Sequence, residues 1–297
     1  MRNSPCVPFL ISVVLSLVTT PWLNASDTPQ PLVPPPVLAR AATVPFDLYQ
    51  GYFMVVHGSV GRLKNLNFFV DTGTNAPVID SRIAKKLKLP GQQPVNITIL
   101  GGNVAGQWVN LPSLQLGPVE QSNLQVVSAD LSFFVRSMPV HIDAIVGLDL
   151  LGQSPFVIDY SVRVIRFGAQ PGLPFSVPLR REAGLAVFDA QVNQKPVHLL
   201  FDTGASSLVL FTGTTPETSN LKIAAPVRPQ ATGDFESKEI RVGSFRLGPE
   251  EFHKKPALVA RNPEPSQLDF DGLVSPVTLG ISRISVNLKE GVLEFGR

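Results

Sequence analysis

One turn occurs twice in this chain. Phe68-Phe69-Val70 runs into Asp71-Thr72-Gly73, and Leu199-Leu200-Phe201 runs into Asp202-Thr203-Gly204. An acid placed directly after three apolar residues, with apolar residues resuming beyond the turn (PVI at 77–79, LVLF at 208–211), is costly to bury unless its charge has a use. Asp71 and Asp202 lie 131 residues apart, and the same offset carries Leu116-Gly117-Pro118 onto Leu247-Gly248-Pro249 and Gly102-Asn103 onto Gly233-Asp234. Further along the offset is 128. It takes Asp143-Ala144-Ile145-Val146 to Asp271-Gly272-Leu273-Val274, Leu151-Gly152 to Leu279-Gly280, and Phe167-Gly168 to Phe295-Gly296. A single three-residue deletion reconciles the two offsets, so the chain is one unit written twice, at 45–169 and 175–297.

Each unit reads as short strands. VVHGSVGRLKNLNFFV and LAVFDAQVNQKPVHLLF have the pattern of hairpins entering the Asp-Thr-Gly turn, and FVIDYSVRVIRFG and RISVNLKEGVLEFG close the units in the same way. Only Ser81 to Leu89 (SRIAKKLKL) has a helical pattern in the first copy. The 23 glycines and 28 prolines suit turns between strands, and the predicted class is all-β with two tandem lobes.

Residues 1–25 have the pattern of an export signal: Arg2, an apolar run of ten residues from Phe9 to Val18, and Ala25 as the last residue before cleavage. That run is half the ~20 residues a membrane span needs; an uncleaved N-terminal anchor is the alternative. Residues 26–44 are proline-rich and aperiodic, an extended spacer. The single cysteine, Cys6, lies in the export segment, so the processed chain has no thiol for a disulfide, a nucleophile or a metal site. With 25 basic and 23 acidic side chains there is no electrostatic reason to expect nucleic acid as a partner. His57, His141, His198 and His253 are scattered without metal-ligand spacing, so neither metal nor cofactor is expected.

A lone Asp-Thr-Gly is an ordinary turn. Two of them at equivalent points of a duplicated unit call for pairing about an approximate two-fold axis, which brings Asp71 and Asp202 together. Two carboxyls in contact cannot both ionise cheaply and so share a proton; one then serves as base to a water and the other as acid to the carbonyl that the water attacks. Thr72 and Thr203 can tie the loops to each other, and Gly73 and Gly204 leave loop amides open to the carboxylates.

These residues resemble those of the aspartic peptidases, most closely the retropepsin-like group, here with two homologous lobes fused in one chain as in the pepsin-like arrangement. The resemblance runs from about residue 46 to the end and includes Ala144-Ile145-Val146-Gly147, which in that family crosses behind the catalytic loop. It implies two β-barrel lobes related by a pseudo-two-fold axis, an interlobe cleft, and catalytic roles for Asp71 and Asp202. It also implies β-hairpin flaps over the cleft, for which the candidates are Ile97 to Val109 with Gly101, Gly102 and Asn103 at the tip, and Ala231 to Ile240 around Gly233 and Asp234. The implied activity is an exported endopeptidase, periplasmic or secreted and monomeric, acting on polypeptides. A peptide-binding protein of the same fold without turnover is the alternative. Two departures stand out. Ser275-Pro276 replaces Gly147-Leu148, and Ala205 replaces Thr74, whose hydroxyl is expected to give Asp71 an additional hydrogen bond.

Overall fold

The hairpin that enters the first Asp-Thr-Gly turn is buried on both faces where it nears the turn, at residues 53–56 and 68–70, and opens to solvent toward its far end. The computed structural model describes residues 42–100, 102–136, 138–168, 172–219, 237–262 and 269–297. The export segment, the spacer up to residue 41, and the flap positions Gly101, Gly233 and Asp234 lie outside the described residues. Residues 42–44, assigned to the spacer on sequence, instead belong to a strand, β1 (Ala42–Pro45). Next come β2 (Asp47–Tyr49), β3 (Phe53–Val60) and β4 (Leu63–Val70), the last ending in the buried run Phe68-Phe69-Val70 that delivers Asp71. Then follow β5 (Val78–Asp80), α1 (Ser81–Leu87), β6 (Pro94–Ile99), β7 (Gly102–Leu116) and β8 (Val119–Ala129). The unit closes with β9 (Ala144–Val146), α2 (Leu148–Leu151), β10 (Phe156–Asp159) and β11 (Val164–Phe167).

The helix predicted at 81–89 forms as α1. Its start is fixed by Asp80, whose carboxylate accepts from the Arg82 amide at 2.8 Å, and its end by Lys88 in the left-handed region (φ 56°).

The second unit repeats the plan: β12 (Phe175–Pro178), β13 (Arg180–Glu182), β14 (Leu185–Val192), β15 (Lys195–Phe201) and β16 (Leu208–Phe211). After α3 (Pro216–Ser219) come β17 (Ser237–Leu247), β18 (Glu250–Ala260), β19 (Gly272–Val274), α4 (Pro276–Leu279), β20 (Arg283–Asn287) and β21 (Val292–Gly296).

In the first lobe the ring β3-β4-β9-β5-β8-β7 closes where Val60 pairs with Leu114. In the second, β14-β15-β19-β16-β18-β17 closes where Val192 pairs with Phe245. Closure removes the exposed strand edges that an open sheet would carry. The last hairpin of each unit leaves its barrel. Together with β1 and β12 these hairpins form a six-stranded sheet, β1-β11-β10-β20-β21-β12, with three strands from each unit. At its centre β10 pairs antiparallel with β20, Phe156 opposite Val286 and Ile158 opposite Ile284. Exchanging each residue for its equivalent at offset 128 turns one pair into the other, as an approximate two-fold axis between these strands requires.

One apolar body runs through both barrels and this sheet and includes Phe68, Phe156, Phe167, Phe188, Phe245 and Phe295. Each buried phenylalanine contributes about 1.5–3 kcal/mol, so a core of this kind can hold a bilobal chain without disulfides. Among the described residues no helix is long and apolar enough to cross a membrane.

Candidate active site

Asp71 and Asp202 stand at the ends of β4 and β15, both fully buried. Behind each runs the short parallel strand of its own lobe. The Asp71 amide donates to the Val146 carbonyl of β9 at 2.9 Å, and the Asp202 amide to the Val274 carbonyl of β19 at 3.2 Å. The turns then fold back on their own acids: the Gly73 amide donates to Asp71 Oδ1 at 2.8 Å and the Gly204 amide to Asp202 Oδ1 at 2.7 Å. Such donors favour the charged form of a carboxyl and fix its rotamer.

The threonines join the loops across the axis. Thr72 N donates to Thr203 Oγ1 at 3.1 Å, and Thr203 N to Thr72 Oγ1 at 3.0 Å. Each hydroxyl then donates onward to the opposite lobe, Thr72 Oγ1 to the Phe201 carbonyl at 2.9 Å and Thr203 Oγ1 to the Val70 carbonyl at 3.1 Å. All four bonds are buried and cross the axis, so a shift of one lobe against the other breaks them together.

The glycines set how near the carboxyls come. A Cβ on Gly73 would lie 2.8 Å from the carboxyl carbon of Asp202, and a Cβ on Gly204 would lie 2.6 Å from that of Asp71. Each carboxyl therefore binds the glycine of its own loop and lies against the glycine of the other. The two acids share one cradle. They are the two residues the sequence singled out. A sequence model of the family described as aspartyl protease matches residues 56–150 and again 188–282, once on each lobe.

The chain belongs to the aspartyl protease family. No curated protein matches it at a significant level.

The chain departs from its own internal symmetry beside the pair. Thr74 was expected to donate to Asp71; its hydroxyl instead donates to the Ala76 carbonyl at 2.8 Å, which occupies its one proton. Gly147 has no room for a side chain. A Cβ on Gly147 would lie 2.5 Å from Thr74 Cγ2 and 2.7 Å from the Asp71 carbonyl oxygen. In the second lobe Ala205 has no γ atoms, and Ser275 is fully buried. In the first lobe the two departures, read separately in the sequence, meet at one place, where Gly147 lies against Thr74. The signal was present in the sequence, but only packing shows that the positions touch.

Two further residues near the site, partly buried but each with a buried polar oxygen, were not singled out by sequence. Asp149, in the first turn of α2, accepts from the Gly147 amide at 3.1 Å. Burial pushes its carboxyl up to about 6, against the opposing pull of neighbouring backbone amides and Arg181. The Tyr160 phenol, packed edge-on to Phe46, is raised by burial and by the charge of Asp202.

Of the flap positions, Gly102 and Asn103 lie at the start of β7, where Ile99 pairs with Gly102 across the tip of the β6–β7 hairpin. Gly102 adopts φ 142°, open to glycine and strained for other residues. Asn103 accepts from Thr98 Oγ1 at 3.1 Å, which braces the hairpin just below its tip. Trp108 packs against the first-lobe apolar cluster. Among the described residues no group of three or more His, Cys, Asp or Glu could hold a metal ion.

Proposed function

We propose that this chain is an exported endopeptidase that hydrolyses peptide bonds with a water activated between Asp71 and Asp202. The observation that carries this reading is the shared cradle, in which each carboxyl lies against the glycine that holds the other's loop. In the reaction, the ionised member of the pair takes a proton from the water as its oxygen attacks the scissile carbonyl carbon. The protonated member donates to the carbonyl oxygen, giving a gem-diol. The pair then gives its proton to the amide nitrogen and takes one back from a gem-diol hydroxyl as the carbon–nitrogen bond breaks, which releases amine and carboxylic acid and leaves the pair with one proton. No metal or cofactor enters any step. The substrate lies extended in the interlobe cleft and pairs its backbone with the β6–β7 hairpin as an added strand. The lobes pair within one chain, and the monomer is the active form.

A peptide-binding protein without turnover is the competing reading. It draws on the second-lobe loop, where Ser275-Pro276 stands in place of Gly147-Leu148. The test is digestion of an unfolded protein across acid and neutral pH, with and without a peptide isostere bearing a hydroxyl in place of the scissile carbonyl. Cleavage that the isostere blocks supports the endopeptidase. Saturable isostere binding with no cleavage at any pH would establish the binding protein instead.

A further inference from the structure

The near balance of charge over the whole chain hides a local excess. Arg62 and Lys64 flank the start of β4, and Arg82, Lys85, Lys86 and Lys88 lie on α1 and its cap, all of them exposed. The two segments meet in space. The Arg62 guanidinium donates to the Lys86 carbonyl at 3.1 Å, and a Cβ on Gly61 would lie 3.7 Å from Leu87 Cδ2. The acids nearby are mostly engaged. Arg82 takes Asp80 at 2.8 Å and Asp143 at 3.7 Å. Asp130 is held below its ordinary range first by the Ser132 amide, with smaller contributions from the charges of Arg82 and Lys85. Among the described residues Arg62, Lys64, Lys86 and Lys88 enter no ion pair. Between these cations stand Leu63, Leu87 and Leu89, half-buried, with their inner sides on the apolar core.

We propose that this face of the first lobe, the turn into β4 together with α1, docks on an anionic lipid bilayer. Two observations favour lipid over other polyanions. The residues interleaved with the cations are aliphatic, whereas a nucleic-acid groove offers aromatic side chains on which bases stack. Leucines set among lysines suit the headgroup boundary, with the apolar ends toward the acyl chains and the ammonium groups on the lipid phosphates. The export signal expected at residues 1–25 and the spacer after it also lead directly into β1 of this same lobe. Several cations close together attract an anionic surface strongly, and salt screens that attraction. Docking here leaves the cleft open. β4 runs from this turn to Asp71 over 8 residues, roughly 25 Å at ~3.3 Å per residue, so the bilayer lies at the far end of the strand from the acid.

Co-sedimentation of the full chain with lipid vesicles tests this. At about 0.1 M salt, partition onto phosphatidylglycerol vesicles should exceed partition onto phosphatidylcholine vesicles by at least about tenfold, and the excess should vanish near about 1 M salt. The apolar run from Phe9 to Val18 meets both vesicle types alike and cancels in the comparison. Equal partition onto the two would overturn the proposal. Lys64→Gln, Lys85→Gln, Lys86→Gln and Lys88→Gln combined should abolish the preference. Lys195→Gln, Lys238→Gln, Lys254→Gln and Lys289→Gln combined remove the same charge from exposed second-lobe positions and should leave it in place. Equal losses in the two variants would assign the effect to bulk charge and overturn the docking face. Thermal unfolding beside wild type shows whether each variant folds. Lys86→Gln with Lys88→Gln should lower the preference severalfold, and this pair carries the test if the fourfold first-lobe variant does not fold. Retention on double-stranded DNA that the first-lobe variant abolishes, with no vesicle preference in wild type, would give the face to nucleic acid and overturn the assignment to lipid.

Discussion

At Gly73 and Gly204 the site depends on the lack of a side chain. A methyl group at either position would enter the space of the opposite carboxyl, at 2.8 Å and 2.6 Å from its carbon. Gly204→Ala is expected to push Asp71 off its cradle and lower the rate of peptide cleavage by at least about a hundredfold, the order that a misplacement near 1 Å produces. Steady-state kinetics on a peptide substrate checks this, and a near-wild-type rate would contradict the shared cradle. The Gly147 and Thr74 pair makes a sharper test of packing. Gly147→Ser alone should destabilise the chain by about 1–3 kcal/mol through overpacking. Adding Thr74→Ala removes the Thr74 Cγ2 contact but leaves the backbone oxygens of Asp71 and Thr74 at 2.7 Å, so it should return only a minor part of that loss, seen in denaturant unfolding as a small coupling between the two substitutions. The acids and the glycines were legible because a buried charge repeated at fixed spacing has few structural explanations. The partnership of residues 74 and 147 was not legible, because nothing along the chain says which side chains meet across a turn.

Short elements hold the turns in place, and α2 does so through a titrating group. The Asp149 carboxyl, raised from its ordinary 3.8 to about 6, binds its proton more tightly in the folded chain than in the unfolded one. Its contribution to stability is therefore complete below pH 3.8 and is lost as pH rises through about 6. Asp149→Asn keeps an acceptor for the Gly147 amide and removes the titration. The variant's melting temperature relative to wild type should climb between about pH 4 and pH 7, as followed by thermal unfolding. Parallel melting curves across that range would show that Asp149 does not titrate there. The hairpins and α1 could be read from alternation, turn residues and the Asp80 cap. The four-residue helices α2 and α4 could not, since one turn is too short to display a helical period. The placement of β6–β7 as a hairpin was legible. The packing of Leu100, just past β6, among apolar residues of the second lobe was not, because it follows from the distance between lobes rather than from any local pattern.

Across the whole molecule the duplication governs both stability and chemistry. Sequence offsets revealed two equal units, but not that their last hairpins would leave the barrels and merge into one six-stranded sheet. Pairings such as Ile158 with Ile284 join segments too far apart in sequence for periodicity to match them. A chain cut after residue 172 separates the two acids and exposes β10 and β20 as unpaired edges. Each half expressed alone should be inactive, and activity should return on mixing only as the halves associate, which size-exclusion chromatography with an activity assay would follow. Cleavage by either half as an isolated monomer would show that one lobe is enough. The most direct trial of the whole account is the rate of protein cleavage by Asp71→Asn and by Asp202→Asn, set beside their unfolding temperatures. Both single variants should fold as wild type does and lose cleavage by at least about a thousandfold. A folded variant of either kind that cleaves at the wild-type rate would mean that the two acids do not work as one.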